Sequence, residues 1–539
     1  MPFSQHLSIG QLLATPLANN PTQEIIHADV MRYDYVGLRL RIGRLGAALA
    51  ALGVREGAVV AVMDWDSHRY LEAFFAVPIL GAVLHTVNVR LSPEQILYTI
   101  NHAEDDVILV HADFVPVLAA IFGRITRPVQ VVVLHDGVVG GVPGEVPGGI
   151  GFAGEYEALL AAASPGFVFP EFSEDTRATL FYTTGTTGDP KGVSFSHRQI
   201  MLHTLGMIAA ICPVPGMGGL HRADVYMPIT PLFHVHAWGV PYVATLLGLR
   251  QIYPGRYDPA KLLGLIARHG VTFSHCVPAI LNMLLTAPEV DTVDLSRWKV
   301  LIGGAALTPG LARAALARGI DLHAAFGMSE TCPLLTVADM VASQAPGDTV
   351  AVRVAAGMAV PLVQLSLHDE AMGKVAHDGQ AHGEVTARGP WLTQGYLKNP
   401  EGSAALWRGG WLHTGDVGTI DAGGVLRIGD RLKDVIKSGG EWVSSLELES
   451  IASQVAGVVE VAAVGLPDAR WDERPCLLVV QALGADVVPG VRAAILAAVA
   501  AGQVPKWANP ERIEVVAALP KTSVGKLDKK RMRAELAAQ

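Results

Sequence analysis

The segment Tyr182–Gly192 has the composition of an anion-binding loop. It reads Tyr-Thr-Thr-Gly-Thr-Thr-Gly-Asp-Pro-Lys-Gly and follows the strand-like run Thr179–Phe181. Glycines let the backbone approach an anion, threonine hydroxyls donate hydrogen bonds, and a lysine adds positive charge. The candidate residues are Thr183, Thr184, Gly185, Thr186, Thr187, Gly188 and Lys191. A Walker A loop is excluded, because Asp189 and Pro190 separate the second glycine from the lysine. The alternative, a plain surface turn, is disfavoured by this density of polar groups.

Six further segments carry residues that could take part in chemistry. They are Pro231–Gly239, Gly303–Ala306, Ala325–Thr331, Trp411–Asp416, Ile428–Arg431 and Pro520–Lys526. Taken singly, each also has a structural interpretation. A His or Trp on an apolar segment usually belongs to a core, an Asp often caps a turn, and a Lys in a basic tail is usually solvated.

The elements around these segments alternate between strand and helix. Predicted strands are Val59–Met63, Val107–His111, Val129–Leu134, Gln251–Tyr253, Val271–His275 and Val300–Ile302, and predicted helices are Tyr70–Val77, Pro259–His269 and Pro278–Leu285. Apolar β-branched runs joined by helices predict α/β layers with buried parallel strands. Val360–His368 and Gly383–Ala387 predict a small all-β subdomain. The end of the chain predicts a compact α+β unit, with helices Leu446–Ser453 and Arg492–Ala500 and strands Val458–Leu466, Arg474–Val480 and Arg512–Val516.

Composition limits the class of protein. The chain has 539 residues, of which 50% are hydrophobic and 17% charged, with a net charge of −9. These values exclude a disordered chain. The negative net charge gives no indication of the basic surface that a nucleic-acid-binding protein carries. No apolar run reaches the roughly 18 residues of a membrane-spanning helix, and no signal peptide is visible at the N-terminus. The four cysteines form no C-x-x-C pair, which favours reduced, buried thiols in the cytoplasm.

In their order along the chain, these motifs resemble the adenylate-forming superfamily of acyl-CoA synthetases, adenylation domains and luciferases. Such enzymes activate a carboxylate with ATP, release pyrophosphate and hold an acyl-adenylate. The resemblance covers nearly the whole chain. It implies doubly wound sheets and a small β-barrel subdomain in a large domain, residues 1–432, followed by a small mobile α+β lid, residues 433–539. It also implies ATP, Mg²⁺ and coenzyme A as cofactors and a cytoplasmic homodimer with small-molecule substrates.

The resemblance assigns roles on the nucleotide side. Beyond the phosphate loop, the residues implied to bind ATP or AMP are Gly303, Gly304, Ala305, Ala306, Phe326, Gly327, Met328, Ser329, Asp416, Ile428, Arg431 and Lys526. Phe326 stacks on adenine, Glu330 with Thr183 binds Mg²⁺, and Asp416 accepts bonds from the ribose. The family usually has Tyr and Thr where this chain has Phe326 and Ser329, so this chain keeps the stacking ring and lacks the phenol hydroxyl. Lys526 neutralises charge in the adenylation transition state.

The resemblance also assigns an acyl pocket, a hinge and a CoA tunnel. His234, Trp238 and Gly303 line the acyl pocket, with Trp391 as a further candidate. His234 lies near the carboxylate. Lys433 occupies the hinge position about which the lid rotates after adenylation. The tunnel segment comprises Ser438, Gly439, Gly440, Glu441 and Trp442.

The substrate is narrowed only in part. The acyl motif, Phe233-His-Val-His-Ala-Trp-Gly, has no acid to pair an amino acid's ammonium, so an unsubstituted acid is favoured. His85–Pro93 and Ile100–Glu104 resemble the branch of medium-chain fatty acyl-CoA synthetases and 3-methylthiopropionate–CoA ligases. The expected function is an AMP-forming acyl-CoA ligase for a short or medium-chain acid, with 3-methylthiopropionate first and medium-chain fatty acids as the alternative. A non-catalytic nucleotide-binding protein on the same fold is the second alternative, and the presence of both Lys526 and Glu330 argues against it.

Overall fold

The computed structural model describes residues 5–136, 149–183, 189–214, 219–438, 441–522 and 527–537. The strands in chain order are β1 (Glu24–His27), β2 (Met31–Asp34), β3 (Val59–Met63), β4 (Val83–Thr86), β5 (Val107–His111), β6 (Gln130–Leu134), β7 (Phe152–Glu155), β8 (Arg177–Thr183), β9 (Lys191–Ser196), β10 (Val225–Tyr226), β11 (Arg250–Tyr253), β12 (Phe273–Cys276), β13 (Lys299–Ile302), β14 (Asp321–Gly327), β15 (Leu334–Val337), β16 (Met358–Ala359), β17 (Gln364–His368), β18 (Gly383–Arg388), β19 (Leu412–Ile420), β20 (Leu426–Arg431), β21 (Ile436–Ser438), β22 (Glu441–Val443), β23 (Val458–Asp468), β24 (Asp472–Gln481) and β25 (Arg512–Val515).

The helices connect these strands and cover the sheets. They are α1 (Ala14–Asn19), α2 (Tyr35–Ala51), α3 (His68–Ile79), α4 (Pro93–Ala103), α5 (Val115–Ile121), α6 (Tyr156–Ala162), α7 (His197–Ile211), α8 (Val235–Trp238), α9 (Val240–Leu247), α10 (Pro259–His269), α11 (Pro278–Leu285), α12 (Pro309–Leu316), α13 (Val350–Arg353), α14 (Pro400–Leu406), α15 (Ser445–Ser453), α16 (Val488–Ala500) and α17 (Lys529–Ala537). No helix in the described ranges is both long and apolar enough to cross a membrane.

Two large sheets form the body of the chain. One runs β7-β6-β5-β3-β4-β8-β9 and the other β16-β15-β14-β13-β12-β10-β11-β1-β2. Their central strands are parallel. β3 and β5 are buried along their whole length, as strands covered by helices on both faces must be. The predicted doubly wound α/β architecture is confirmed.

The predicted all-β subdomain is an antiparallel sheet ordered β17-β18-β19-β20. Among the described residues its edge strands β17 and β20 pair with different partners and not with each other, so the sheet is open where we expected a barrel. The strand predicted from Val360 begins at Gln364, because Leu362 adopts a positive φ of 72° and breaks the extended run.

The chain after β20 forms a separate small sheet, β22-β21-β24-β23 with β25 beside β24. Its own apolar cluster includes Ile436, Leu448, Leu477 and Ile495. The α+β prediction for this part is confirmed, with most bounds within two residues. The exception is α16, which begins at Val488, four residues before the prediction. The small unit contacts the large one where α15 lies against α12, with Arg313 Nη1 3.4 Å from Gln454 Oε1.

Candidate functional site

A narrow cavity opens at the edge of the nine-stranded sheet where β13 and β14 end. These neighbouring strands are parallel, so the turns that follow them meet at one edge, the usual place for ligands in open α/β sheets. The cavity volume is about 30 Å³. It is lined by Met207, His234, Val235, Trp238, Leu301, Gly303, Gly304, Ala325, Phe326, Gly327, Met328, Ser329, Pro333 and Leu334. The structure therefore brings His234, Trp238 and Gly303 of the predicted acyl pocket to the same place as Gly304 and the predicted adenine-side residues 326–329.

Gly303 stands where its surroundings leave little space for a side chain. A Cβ there would lie 3.0 Å from the Ala325 carbonyl oxygen and 3.1 Å from Cη2 of Trp238. The indole of Trp238, 6% exposed, thus packs directly on the glycine turn. This contact closes one wall of the cavity.

The acyl motif contains a strained turn. Val235, His236, Ala237 and Trp238 have φ values of 49°, 53°, 46° and 59°, and Gly239 has 73°. A run of non-glycine residues in the left-handed region is unfavourable, and such strain persists only where surrounding contacts hold it. Runs of this kind cluster at functional sites.

Two side chains from distant elements hold the backbone just before this turn. Oδ1 of Asp66 accepts a hydrogen bond from the Leu232 amide at 2.9 Å, and Oγ1 of Thr86 donates to the Phe233 carbonyl at 2.9 Å. Burial raises the pKa of the Asp66 carboxyl to about 7, against the lowering effect of the Tyr257 hydroxyl that donates to it. We call Asp66 and Thr86 the backbone clamp. Sequence analysis missed the clamp, because no local pattern joins these positions to the motif.

The two histidines of the motif have different surroundings. His234 lines the cavity, whereas His236 is fully buried among the rings of Phe74, Phe181 and Phe195. Neither ring nitrogen of His236 has a hydrogen-bond partner within the described chain. Only His234 is therefore placed to meet a ligand in the cavity.

Glu330 lies in a short turn, Ser329–Thr331, directly after β14. The residue is 7% exposed, and its Oε1 accepts a hydrogen bond from the Tyr396 hydroxyl at 2.7 Å. Within the described ranges its other oxygen, Oε2, has no protein donor. A carboxylate oxygen together with the Thr183 hydroxyl and substrate phosphates is a donor set that suits Mg²⁺.

The phosphate segment joins two antiparallel strands. Thr183 ends β8 and is paired in register with Lys191, which begins β9. Thr184, Gly185, Thr186, Thr187 and Gly188 lie outside the described residues. Lys191 Nζ lies 4.7 Å from the centre of the Tyr396 ring, so one tyrosine contacts both the lysine and Glu330. Tyr396 was not predicted; an isolated Tyr after a Gly carries no recognisable signal.

The predicted ribose residues lie on the open sheet. Asp416 in β19 and Arg431 in β20 are paired in register, and Nε of Arg431 lies 3.2 Å from Oδ1 of Asp416. Asp416 is buried and Arg431 is exposed. Ile428 belongs to the same strand β20, and Ala305 and Ala306 are exposed just after the Gly303–Gly304 turn.

The predicted hinge and tunnel residues follow the open sheet. Lys433 comes two residues after β20 and is exposed. Ser438 is buried in β21 and is paired in register with Glu441 of β22, next to Trp442 in the same strand. Gly439, Gly440 and Lys526 lie outside the described residues.

Trp391 occupies a different place from the rest of the acyl-pocket set. Its ring is fully buried, lies against His203 with 5.7 Å between ring centres, and leaves no room for a side chain at Gly206. Trp391 is not one of the residues lining the cavity. It supports α7, the helix that carries Met207.

The burial predicted for the cysteines is found at three of the four positions. All four are free; Cys276, Cys332 and Cys476 are buried, and Cys212 is partly buried. Burial raises the pKa of the thiols of Cys212 and Cys476 to about 11. The thiols are therefore protonated and poorly reactive at neutral pH.

Comparison with known proteins identifies the family. Residues 13–397 match the model of the AMP-binding enzyme family and residues 447–526 that of its C-terminal domain. The chain is 38% identical over 514 residues to a long-chain-fatty-acid–CoA ligase of Thermus thermophilus, covering 94% of this chain and 90% of the relative. It is 34% identical over 537 residues to a medium-chain-fatty-acid–CoA ligase of Ectopseudomonas oleovorans (98% and 95% covered). It is 35% identical over 548 residues to a 3-methylmercaptopropionyl-CoA ligase of Ruegeria lacuscaerulensis (99% and 98% covered).

A solved structure agrees with this assignment. ATP-bound MatB from Rhodopseudomonas palustris superimposes with a TM-score of 0.82 at 26% identity, covering 98% of this chain and 99% of that one. The chain therefore belongs to the AMP-binding enzyme family. It is an AMP-forming acyl-CoA ligase, an acid–thiol ligase, and such ligases use ATP, Mg²⁺ and coenzyme A.

Proposed function

We propose that the acid activated by this ligase is short, and specifically 3-methylthiopropionate. The observation that carries the proposal is the Trp238 indole, which lines the cavity together with His234 and packs on the Gly303 turn, with its Cη2 3.1 Å from where a Cβ on Gly303 would lie. Because this buried ring occupies the apolar part of the cavity, a long acyl chain requires it to move. The lining of the cavity includes the apolar side chains of Met207, Trp238 and Leu301. The relatives named as 3-methylmercaptopropionyl-CoA ligases support the same choice.

Medium-chain fatty acids are the second candidate. The relatives named for medium-chain and long-chain acids are as similar as the others, and Trp238 is the wall whose movement lengthens the cavity. The two candidates differ in the chain length at which turnover falls.

We assign the residues to two balanced steps. In the first, a carboxylate oxygen attacks the α-phosphorus of ATP, the bond to the β-phosphate oxygen breaks, and pyrophosphate leaves. His234 orients the carboxylate, while Lys526 and Lys191 stabilise negative charge on the phosphates. Glu330 and Thr183 would hold Mg²⁺, which would supply positive charge beside the triphosphate. In the second step the CoA sulfur attacks the acyl carbon, the bond to AMP breaks, and the thiol proton is released.

The second step requires the small domain to rotate about Lys433. Lys526 lies in residues 433–539 and the phosphate segment in residues 1–432, so one closed arrangement brings them together and another admits CoA along Ser438–Trp442. Movement about a few residues at the end of an element is the usual form of such a hinge.

We also propose, from the family resemblance, that the protein is a cytoplasmic homodimer. Light scattering of the purified protein tests whether it is a dimer.

A panel of acids tests the substrate. Acids from C2 to C16 and 3-methylthiopropionate are assayed for CoA-dependent formation of AMP. The proposal expects the highest kcat/KM for 3-methylthiopropionate or butyrate and a steep fall beyond about C6. A maximum at C8 or longer would instead establish the medium-chain candidate.

The Lys526→Ala variant tests the catalytic assignment. It is expected to lose acid-dependent release of pyrophosphate, while thioester formation from a supplied acyl-adenylate persists, because Lys526 acts only in the first step. Lys530→Ala, in the same basic tail, serves as the matched control. Equal loss in both steps would contradict the assignment.

A further inference from the structure

Tyr396 connects two site residues that belong to different elements. Its backbone is held against β9: the Leu397 amide donates to the Gly192 carbonyl at 2.8 Å, and Tyr396 forms a bridge with Val193. The Tyr396 amide also donates to Oγ of Ser403 at 2.9 Å. These bonds fix the position of the ring, whose hydroxyl contacts Glu330 and whose face contacts Lys191.

The contact with Glu330 has a defined direction. A carboxylate has no proton to donate, so the 2.7 Å contact between the Tyr396 hydroxyl and Oε1 of Glu330 has only one possible direction. The hydroxyl is therefore a donor to Oε1, and a charge-assisted bond of this kind is among the stronger hydrogen bonds in proteins. Fixing Oε1 determines the plane of the carboxylate and hence the direction of Oε2.

The contact with Lys191 works differently. A cation over an aromatic face is attracted by the ring but keeps its full charge. Within the described residues Lys191 forms no ion pair with Glu330, and the tyrosine contacts both groups. An ion pair between the two would neutralise both charges and occupy both groups.

We propose that Tyr396 is a positioning residue: it keeps Glu330 and Lys191 from pairing with each other, and directs Glu330 to the metal and Lys191 to the phosphates. The inference rests on the metal and phosphate roles assigned to Glu330 and Lys191 under the proposed function. Donors that orient a metal-binding carboxylate commonly affect metal affinity by 10- to 100-fold.

Binding measurements test this without turnover. Mn²⁺ replaces Mg²⁺ as a paramagnetic probe, and binding of Mn²⁺ with ATP is followed by electron paramagnetic resonance, while ATP binding with EDTA present is measured by calorimetry. Tyr396→Phe removes the hydroxyl and keeps the ring, so it is expected to weaken Mn²⁺–ATP binding about tenfold and leave metal-free ATP binding unchanged. Tyr396→Leu removes both contacts and is expected to weaken metal-free ATP binding as well.

The matched control is Tyr156→Phe. The Tyr156 hydroxyl donates to Oε2 of buried Glu72 at 2.7 Å, the same kind of pair outside the site. This variant should bind Mn²⁺–ATP as the wild type does. Circular dichroism checks that each variant folds. If Tyr396→Leu does not fold, Tyr396→Phe alone tests whether the hydroxyl affects Mn²⁺–ATP binding.

The outcomes separate this inference from the proposed function. If Glu330→Gln weakens Mn²⁺–ATP binding but Tyr396→Phe does not, the positioning role is wrong and the metal role of Glu330 stands. If Tyr396→Phe weakens binding equally with and without metal, the tyrosine has only a structural role. If Glu330→Gln also binds as the wild type does, the proposed metal role fails and the inference fails with it.

Discussion

Nε of Arg431 lies 3.2 Å from Oδ1 of Asp416, across the paired strands β20 and β19. The carboxylate is buried and the guanidinium is exposed, so the arginine orients Asp416 from the solvent side. This ion pair limits the orientations that the buried Asp416 carboxylate can adopt. The relationship connects the two residues expected at the ribose.

Asp416→Asn is expected to raise the KM for ATP by about 10- to 100-fold, since hydrogen bonds to a charged group contribute roughly 1.5–3 kcal/mol. Its preference for ATP over 2′-deoxy-ATP should fall by a similar factor, because the ribose hydroxyl loses its charged acceptor. Asp421→Asn, at a turn of the same sheet, is the control. A variant that still discriminates against 2′-deoxy-ATP as the wild type does would show that Asp416 does not bind the ribose.

Trp238→Leu is expected to shift the preference towards longer acids, because the indole forms the wall against Gly303. The ratio of kcat/KM for octanoate to that for 3-methylthiopropionate should rise on the order of tenfold, the scale of one or two methylenes in an apolar pocket. Trp391→Leu is the matched control: this indole is equally buried but does not line the cavity. A shift of the same size in the control would place Trp391 in chain-length selection.

Removing either hydrogen bond of the backbone clamp is expected to change the KM for the acid but not the KM for ATP. Thr86→Val and Asp66→Ala each release the segment before His234, so the KM for the acid should rise about tenfold while the KM for ATP changes little. Steady-state kinetics with each substrate varied in turn provides the measurement. A parallel rise in both KM values would indicate general loosening of the fold, contrary to this prediction.

Asp66→Asn tests the effect of the Asp66 charge on stability, because it removes the charge and keeps the hydrogen-bond acceptor. Since the pKa of Asp66 is raised to about 7, its contribution to stability is present at low pH and is lost as pH rises through 7. The Asn variant keeps an acceptor for the Leu232 amide and has no charge to bury. Its free energy of unfolding in urea should therefore rise relative to the wild type as pH increases from about 4 to 7, and should stay higher above pH 7.

Local patterns in the sequence predicted the elements well. Val59–Met63, Val107–His111, Pro259–His269 and Pro278–Leu285 have the predicted bounds, because apolar runs and N-terminal prolines determine them locally. The contacts of Tyr396 with Glu330, 66 residues away, and of Asp66 with the acyl motif arise only from tertiary packing. The cavity volume likewise depends on the Trp238–Gly303 contact, which spacing along the chain does not reveal.

The buried His236 is expected to make the free energy of unfolding fall steeply as the pH is lowered. Burial, with the nearby His203, lowers the pKa of His236 to about 3, whereas the unfolded chain protonates near 6.5. Because the unfolded state binds the extra proton, the contribution of neutral His236 to stability is present above pH 6.5 and is lost as pH falls towards 3. Between pH 7 and pH 5 this one group accounts for about 2 kcal/mol.

His236→Leu should therefore flatten the pH dependence of the free energy of unfolding by about that amount between pH 7 and pH 5. It should also stabilise the protein at pH 7, since two buried ring nitrogens without partners in the described chain are replaced by an apolar group among aromatic rings. Urea unfolding at pH 5, 6 and 7 measures both effects, with His377→Leu at an exposed position as the control. An unchanged pH slope in His236→Leu would mean that the histidine has a hydrogen-bonding partner, such as a bound water, that keeps its titration ordinary.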